Sequence, residues 1–193
     1  MKCLDEESCL ALTGTARWDP AHERYTLLGL MTVPSGRILT VGQGVTLFVD
    51  AKAKFGTWGT ITNQANSTLT VAGRMTVNSG ATLVNSGAFS NSGTLANSGV
   101  FVNSADAVFK NTGRITNDAI INNQGRVENR GTLTVSKDAM LTSSPGAVVK
   151  NSGRVMVYCG ACLWRAARLL PAGSSSRFFR DQVGMGQVCA HGA

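Results

Sequence analysis

Apolar and polar residues alternate in a six-residue repeat between residues 83 and 133, with one slip after Asn103 and a further copy from Asn151. Each copy reads Asn, small or polar, Gly, any, apolar, any. One large apolar residue in six is too few for an amphipathic helix and suits a short strand followed by a bend. A fixed period predicts stacked coils. The residues expected inside are Leu83, Phe89, Leu95, Phe101, Phe109, Ile115, Ile121, Val127, Leu133 and Val155.

The repeated glycines and asparagines have expected roles of their own. Gly adopts positive φ without a steric penalty and is expected to form the bends. These glycines are Gly87, Gly93, Gly99, Gly113, Gly125, Gly131 and Gly153. The asparagines allow two interpretations, either turn formers or a ladder of stacked side-chain amides. Residues 85–103 and 111–129 each contain three repeats, so each block predicts about one coil.

The flanking segments predict the limits of the coiled region. Residues 25–50 read as strand, turn, strand, turn, strand, and residues 51–82 and 132–150 contain looser alternating units. Residues 158–170 favour a short helix with Leu163, Ala166 and Leu170 on one face, which either caps the rod or begins a tail foreign to the evolved fold. We therefore predict a leader or N-terminal cap (1–24), an all-β, single-stranded β-solenoid (25–157), and a capping helix with a non-repetitive tail (158–193).

Several short phrases carry a resemblance to a known class. Thr-Val-Pro-Ser-Gly at 32–36, Leu-Thr-Val at 39–41 and Gly-Val-Thr-Leu at 44–47 precede the Asn-x-Gly repeats. Over about residues 28–157, the chain resembles bacterial surface and adhesin-type right-handed β-helix proteins. It is similar to the passenger regions of autotransporters and to haemagglutinin-like exoproteins. The resemblance implies a right-handed coil, an extracellular or cell-surface location, and a scaffold that holds surfaces away from a cell.

The N-terminal residues do not match a secretory signal. Three acidic residues at 5–7 follow a single lysine, and no apolar run of signal-peptide length is present in the first nineteen residues. No stretch approaches the apolar length of a membrane span. We therefore expect that the chain is not exported by itself, or that it is a piece of a longer product.

The net charge of +7 is uneven along the chain. Residues 51–157 contain ten basic and four acidic residues, a balance of +6. The basic residues are scattered through the repeats without a run of five or six. This distribution favours a solvated, mildly basic rod over a nucleic-acid groove. The expected partners are carbohydrate or a host or cell-surface protein, with no nucleic acid.

Candidate metal ligands lie near the C-terminus. Cys159, Cys162, Cys189 and His191 would supply three thiolates and an imidazole to zinc. The 26 residues between Cys162 and Cys189 fit no common zinc finger, so no metal or other cofactor is predicted. The remaining histidine, His22, also lies outside the repeat.

The acidic residues of the repeat are the other candidates for chemistry. With coils of about 20 residues, Asp118 would stack on Asp138 and Asp106 on Glu128; the simpler interpretation is solubilising charge on the outer face. No nucleophile elbow, P-loop or metalloprotease helix motif is present. No catalytic residue is therefore predicted.

These observations favour a non-enzymatic structural or adhesive module of a surface or secreted protein. Three alternatives remain. One is a polysaccharide-active β-helix enzyme. Another is a left-handed hexapeptide-repeat transferase scaffold, whose Gly or Ala after the aliphatic residue is mostly missing here. The last is an ice-binding solenoid, which needs a flat stacked Thr array; Thr-x-Thr pairs occur at 60–62, 68–70 and 132–134.

Overall fold

The computed structural model describes residues 16–158 and the backbone of strands at 162–165 and 168–171. This part of the chain contains 23 four-residue strands in three sheets and no helix. Face A consists of β1 (Ala16–Asp19), β2 (Arg24–Leu27), β5 (Thr46–Val49), β8 (Thr68–Val71), β11 (Ala88–Asn91), β14 (Val108–Asn111), β17 (Arg126–Asn129), β20 (Val148–Asn151) and β23 (Arg168–Pro171).

The other two faces have seven strands each. Face B consists of β3 (Leu30–Val33), β6 (Lys54–Thr57), β9 (Arg74–Val77), β12 (Thr94–Asn97), β15 (Arg114–Asn117), β18 (Thr132–Val135) and β21 (Arg154–Val157). Face C consists of β4 (Ile38–Val41), β7 (Thr60–Asn63), β10 (Thr82–Asn85), β13 (Val100–Asn103), β16 (Ile120–Asn123), β19 (Met140–Ser143) and β22 (Cys162–Arg165).

The chain visits faces A, B and C in turn, so β2 to β22 form seven coils of a β-solenoid. Each strand pairs in parallel with its equivalent in the next coil; Asn85 is in register with Asn103, and Asn111 with Asn129. At about 4.8 Å per coil, the seven coils give a stack roughly 30 Å long. The predicted all-β solenoid, with one coil per three repeats, is confirmed. Its right-handed sense and its limits at residues 25 and 158 stay predictions.

The first coil is bordered by an antiparallel strand. β1 pairs with β2, and Ala16 is in register with Leu27. β1 therefore occupies the edge of β2 that would otherwise be open to pairing with another chain. Part of the predicted leader is thus a hairpin strand on the solenoid.

Alternation along each strand separates core from surface. In most strands the second and fourth residues are buried and the first and third face outward. All of the apolar residues expected inside are buried, except that Val155 is partly buried and packs against the core. Phe89, Phe101 and Phe109 form one ring cluster with centroids 4.9–5.6 Å apart. The predicted register of the repeat is confirmed.

The fourth strand position is occupied by asparagine in every strand from β10 to β17, and these side chains are at most 2% exposed. The Nδ2 of each donates to the Oδ1 of its equivalent one coil later over 2.7–2.9 Å. The face C ladder is Asn63, Asn85, Asn103 and Asn123; the face A ladder is Asn91, Asn111, Asn129 and Asn151; the face B ladder is Asn97 and Asn117. None has positive φ. Of the two interpretations, the buried ladder is correct.

The predicted role of the repeated glycines is wrong. None of them has positive φ; that conformation occurs instead at turn residues such as Gly80 and Asp106. A Cβ on Gly93 would lie 2.0 Å from the carbonyl oxygen of Gly73 in the preceding coil. The repeat therefore requires glycine because the coils approach too closely at the corner to admit a side chain.

The helix expected within residues 158–170 is also wrong where the backbone is described. β22 pairs in parallel with β19, and β23 with β20. Leu163 is in register with Leu141, and Leu169 with Val149. A helix this short has little stability of its own, whereas the open sheet edges offer a continued ladder of hydrogen bonds. Residues 172–193 lie outside the described part, so the nature of the tail stays a prediction.

Candidate functional site

The outward residues of face B concentrate positive charge. The first residue of its strands, from β3 to β21, is in turn Leu30, Lys54, Arg74, Thr94, Arg114, Thr132 and Arg154. The four basic side chains are exposed and form one column parallel to the rod. The third residues are Thr32, Gly56, Thr76, Ala96, Thr116, Thr134 and Met156, so the neighbouring column is mostly short and uncharged. We call the first set the basic column.

The corner between faces A and B adds two cations. Lys52 and Arg130 are exposed residues of this corner. The corner also contains Asp50, whose carboxylate accepts the Lys52 amide at 3.0 Å. Six of the ten basic residues of 51–157 thus lie in the basic column or beside it. The prediction of evenly scattered charge is wrong, because residues about 20 apart in sequence become neighbours in space.

A shallow groove of about 320 Å³ lies at the N-terminal end of face B, between Lys54 and Arg74 on one side and Trp58 on the other. Trp58 is 54% exposed. Gly56 lies in the groove, and a Cβ built there would meet only Thr32 Oγ1, at 3.8 Å. Gly56 therefore relieves no clash, unlike Gly93; its missing side chain leaves the groove open. We call this the basic groove.

The outward side of face C differs from face B. From β4 to β19 its first residues are Ile38, Thr60, Thr82, Val100, Ile120 and Met140, and its third residues are Thr40, Thr62, Val84, Val102, Asn122 and Thr142. None of these residues is charged. Face C is therefore a neutral surface of threonine and aliphatic side chains.

Face A carries an alternating charge column. Lys110, Glu128 and Lys150 are in register on adjacent strands. Arg126 approaches Glu128 within 2.6 Å. The Arg126 hydrogen bond and the charges of Arg126 and both lysines lower the pKa of Glu128, and they outweigh the opposing effect of burial. These basic side chains are engaged with an acid, unlike the basic column, which contains none.

The acidic stacks expected from a 20-residue coil are wrong. Asn117 is in register with Val135, an offset of 18, so Asp118 lies beside Ser136 and accepts its hydroxyl at 2.5 Å. Asp138 and Asp106 are turn residues with φ of 64°. In the described part of the chain, no three His, Cys, Asp or Glu side chains are grouped closely enough to hold a metal ion.

The histidine and cysteine candidates divide between described and undescribed parts. His22 Nδ1 lies 2.7 Å from Asp19 Oδ2 in the β1–β2 turn. Burial raises the pKa of Asp19, but the hydrogen bonds from His22 and Ala21 and the nearby positive charges lower it overall. Cys159, Cys189 and His191 lie outside the described residues, and Cys162 is described only as backbone of β22. The zinc question is therefore untested.

The three Thr-x-Thr pairs do not form one surface. They lie on β7, β8 and β18, which belong to faces C, A and B respectively. They therefore cannot assemble the single flat array that an ice-binding solenoid needs. Within the described residues, no helix has the length and apolarity to cross a bilayer.

Comparison with known proteins gives one family. No curated protein and no solved structure matches the chain significantly. The family described as the BigA fourth domain matches residues 37–191, about four-fifths of the chain and all of the solenoid from the end of its first coil. By this match, the chain belongs to the BigA fourth-domain family.

Proposed function

We propose that this chain is a non-enzymatic structural or adhesive β-solenoid module of a surface or secreted protein, with carbohydrate or a cell-surface protein as its partner. Membership of the BigA fourth-domain family supports an adhesin-like surface protein. The finer likeness to autotransporter passengers and haemagglutinin-like exoproteins is part of this proposal.

One observation carries the proposal: the outward residues of seven coils line up in straight columns on a regular stack. Such columns suit contact with an extended polymer or a surface, because the same spacing recurs at each step. The interior is filled by apolar side chains and amide ladders.

The positions of the acidic residues also favour a binding role over catalysis. Asp118 is hydrogen-bonded to Ser136, and Glu128 interacts with Arg126 between two lysines. A general base needs an acceptor within reach of the substrate proton and a pKa tuned near the working pH. The pKa of Glu128 is shifted away from that range.

Adhesion and turnover test the proposal together. Beads coated with the full chain are expected to adhere to host cells more than beads coated with an unrelated β protein. The soluble chain is expected neither to cleave polysaccharides nor to acylate acceptors from acyl-coenzyme A. Turnover that disappears in Asp118→Asn or Asp138→Asn would show that the protein is an enzyme.

A further inference from the structure

We propose that face B binds a linear polysaccharide with one carboxylate per disaccharide, laid along the rod over the basic column and ending in the basic groove. This inference rests on the proposed adhesive function and names its ligand class. It also assigns roles to Arg74, Arg114, Gly56 and Trp58.

The spacing of the basic column is the first argument. Arg74 and Arg114 are separated by Thr94 in the register of adjacent strands, and Arg154 follows Arg114 after Thr132. Two strand steps correspond to about 10 Å along the rod. This is comparable with the length of a disaccharide in an extended chain. A polymer with one acidic group per disaccharide therefore presents its charges in step with the arginines.

The chemistry of the column is the second argument. Arginine presents a planar set of N–H donors that matches a carboxylate in bidentate geometry. The residues between the arginines, Thr94 and Thr132, are short, so a chain can lie across them while their hydroxyls offer hydrogen bonds to sugar hydroxyls. No acidic residue occupies an outward strand position of face B between β3 and β21.

The basic groove supplies a third argument. Trp58 is a large exposed aromatic residue at its rim, and a pyranose ring can place its apolar face on an indole. Gly56 stands in register between Thr32 and Thr76, where a threonine would fit without a clash. The glycine leaves room for a sugar ring between Trp58 and the paired cations Lys54 and Arg74, which are in register on adjacent strands.

Charge density distinguishes this ligand from a nucleic acid. Duplex DNA carries one negative charge per about 1.7 Å of axis. The basic column supplies one cation per roughly 5–10 Å. A polysaccharide with widely spaced carboxylates matches this density, and DNA does not.

The test measures binding of hyaluronan oligosaccharides, which carry one carboxylate per disaccharide, to the full chain by titration calorimetry. The parent is expected to bind, and binding should weaken between about 0.05 M and about 0.3 M NaCl because exposed ion pairs are screened. The variant R74Q/R114Q is expected to lose about tenfold in affinity or more. The matched control K110Q/K150Q removes the same charge from face A and should stay within about twofold of the parent.

Gly56→Thr separates shape from charge. It keeps every charge and adds a side chain that neighbouring strands already carry at this position. Its thermal stability should equal or exceed that of the parent, because Gly weakens a strand, while hyaluronan affinity should fall about three- to tenfold. Equal affinity in this variant would remove the groove from the proposal.

The remaining outcomes are decisive. Absence of hyaluronan binding, equal binding of neutral dextran, tighter binding of duplex DNA, or an equal loss in K110Q/K150Q would each overturn the inference. Bead adhesion to cells is measured in parallel. Adhesion without hyaluronan binding would leave the adhesive function standing and refute the ligand; hyaluronan binding lost in R74Q/R114Q together with weaker adhesion supports both.

Discussion

Replacement of Asn111 by valine tests whether the buried amide ladder stabilises the solenoid. Asn111 is 1% exposed and lies in the middle of the face A ladder. Its Oδ1 accepts from Asn91 at 2.8 Å, and its Nδ2 donates to Asn129 Oδ1 at 2.7 Å and to the Thr132 carbonyl at 3.2 Å. Valine fits this strand position, because Val71 occupies it two coils earlier.

The expected cost comes from what valine leaves behind. The Oδ1 of Asn129 loses its donor while remaining buried, which costs about 1–3 kcal/mol. The Nδ2 of Asn91 keeps the Arg114 carbonyl as an acceptor at 3.1 Å, so its loss is smaller. We expect a net destabilisation of about 2 kcal/mol, or about 4–8 °C in Tm for a chain of this size. Equilibrium urea unfolding followed by far-UV circular dichroism measures it.

Asn151→Val is the matched control at the end of the same ladder. Asn151 Nδ2 donates to the carbonyl of Gly153 in its own coil, so its loss leaves no side-chain oxygen of a later coil without a donor. Its cost should be at most about 1 kcal/mol. Replacing all four asparagines of the face A ladder should cost less than the sum of the four single changes, because donors and acceptors then disappear together. Equal effects at Asn111 and Asn151, or strict additivity, would refute this reasoning.

Three further predictions follow from the register, the corners and the ion pair. Leu95→Ala should cost about 2–5 kcal/mol in a denaturant melt, and outward Thr94→Ala no more than about 0.5 kcal/mol; equal small effects would place the wrong residue inside. Gly93→Val should lower Tm far more than Thr94→Val, because its Cβ would meet the Gly73 carbonyl oxygen at 2.0 Å. Because the pKa of Glu128 is lowered in the folded state, the unfolded chain takes up this proton first, and the stability from Glu128 is lost as pH falls below the ordinary glutamate pKa. In Glu128→Gln the acid side of a Tm–pH profile should therefore be flatter than in the parent; an unchanged slope would contradict the assigned shift.

The hydrophobic period was sufficient to predict the coil and its core. One apolar residue per repeat, as at Leu95 and Ile115, marks the second position of each strand, and the two are in register. The period did not reveal why glycine recurs. Positive φ and close approach both select glycine, and only the position of the Gly73 carbonyl under Gly93 separates them.

The basic column was hidden by reading charge along the chain. Arg74, Arg114 and Arg154 are each preceded by Gly and recur every 40 residues, which is the length of two coils. That spacing was the available signal. The acidic stacks failed for the related reason that individual coils vary in length: Asn97 to Asn117 spans 20 residues, whereas Asn117 to Val135 spans 18.

The direction of the amide ladder has an electrostatic consequence for the length of the rod. Every link on face A runs from Nδ2 in one coil to Oδ1 in the next, as from Asn91 to Asn111. The corner backbone bonds beside it run the opposite way; the amides of Thr112 and Arg130 donate to the carbonyls of Asn91 and Asn111 in the preceding coil. Each amide group carries a dipole of about 3.5 D. Neighbouring antiparallel dipoles attract and cancel, so coils can be added along this corner without building up opposite potentials at the two ends.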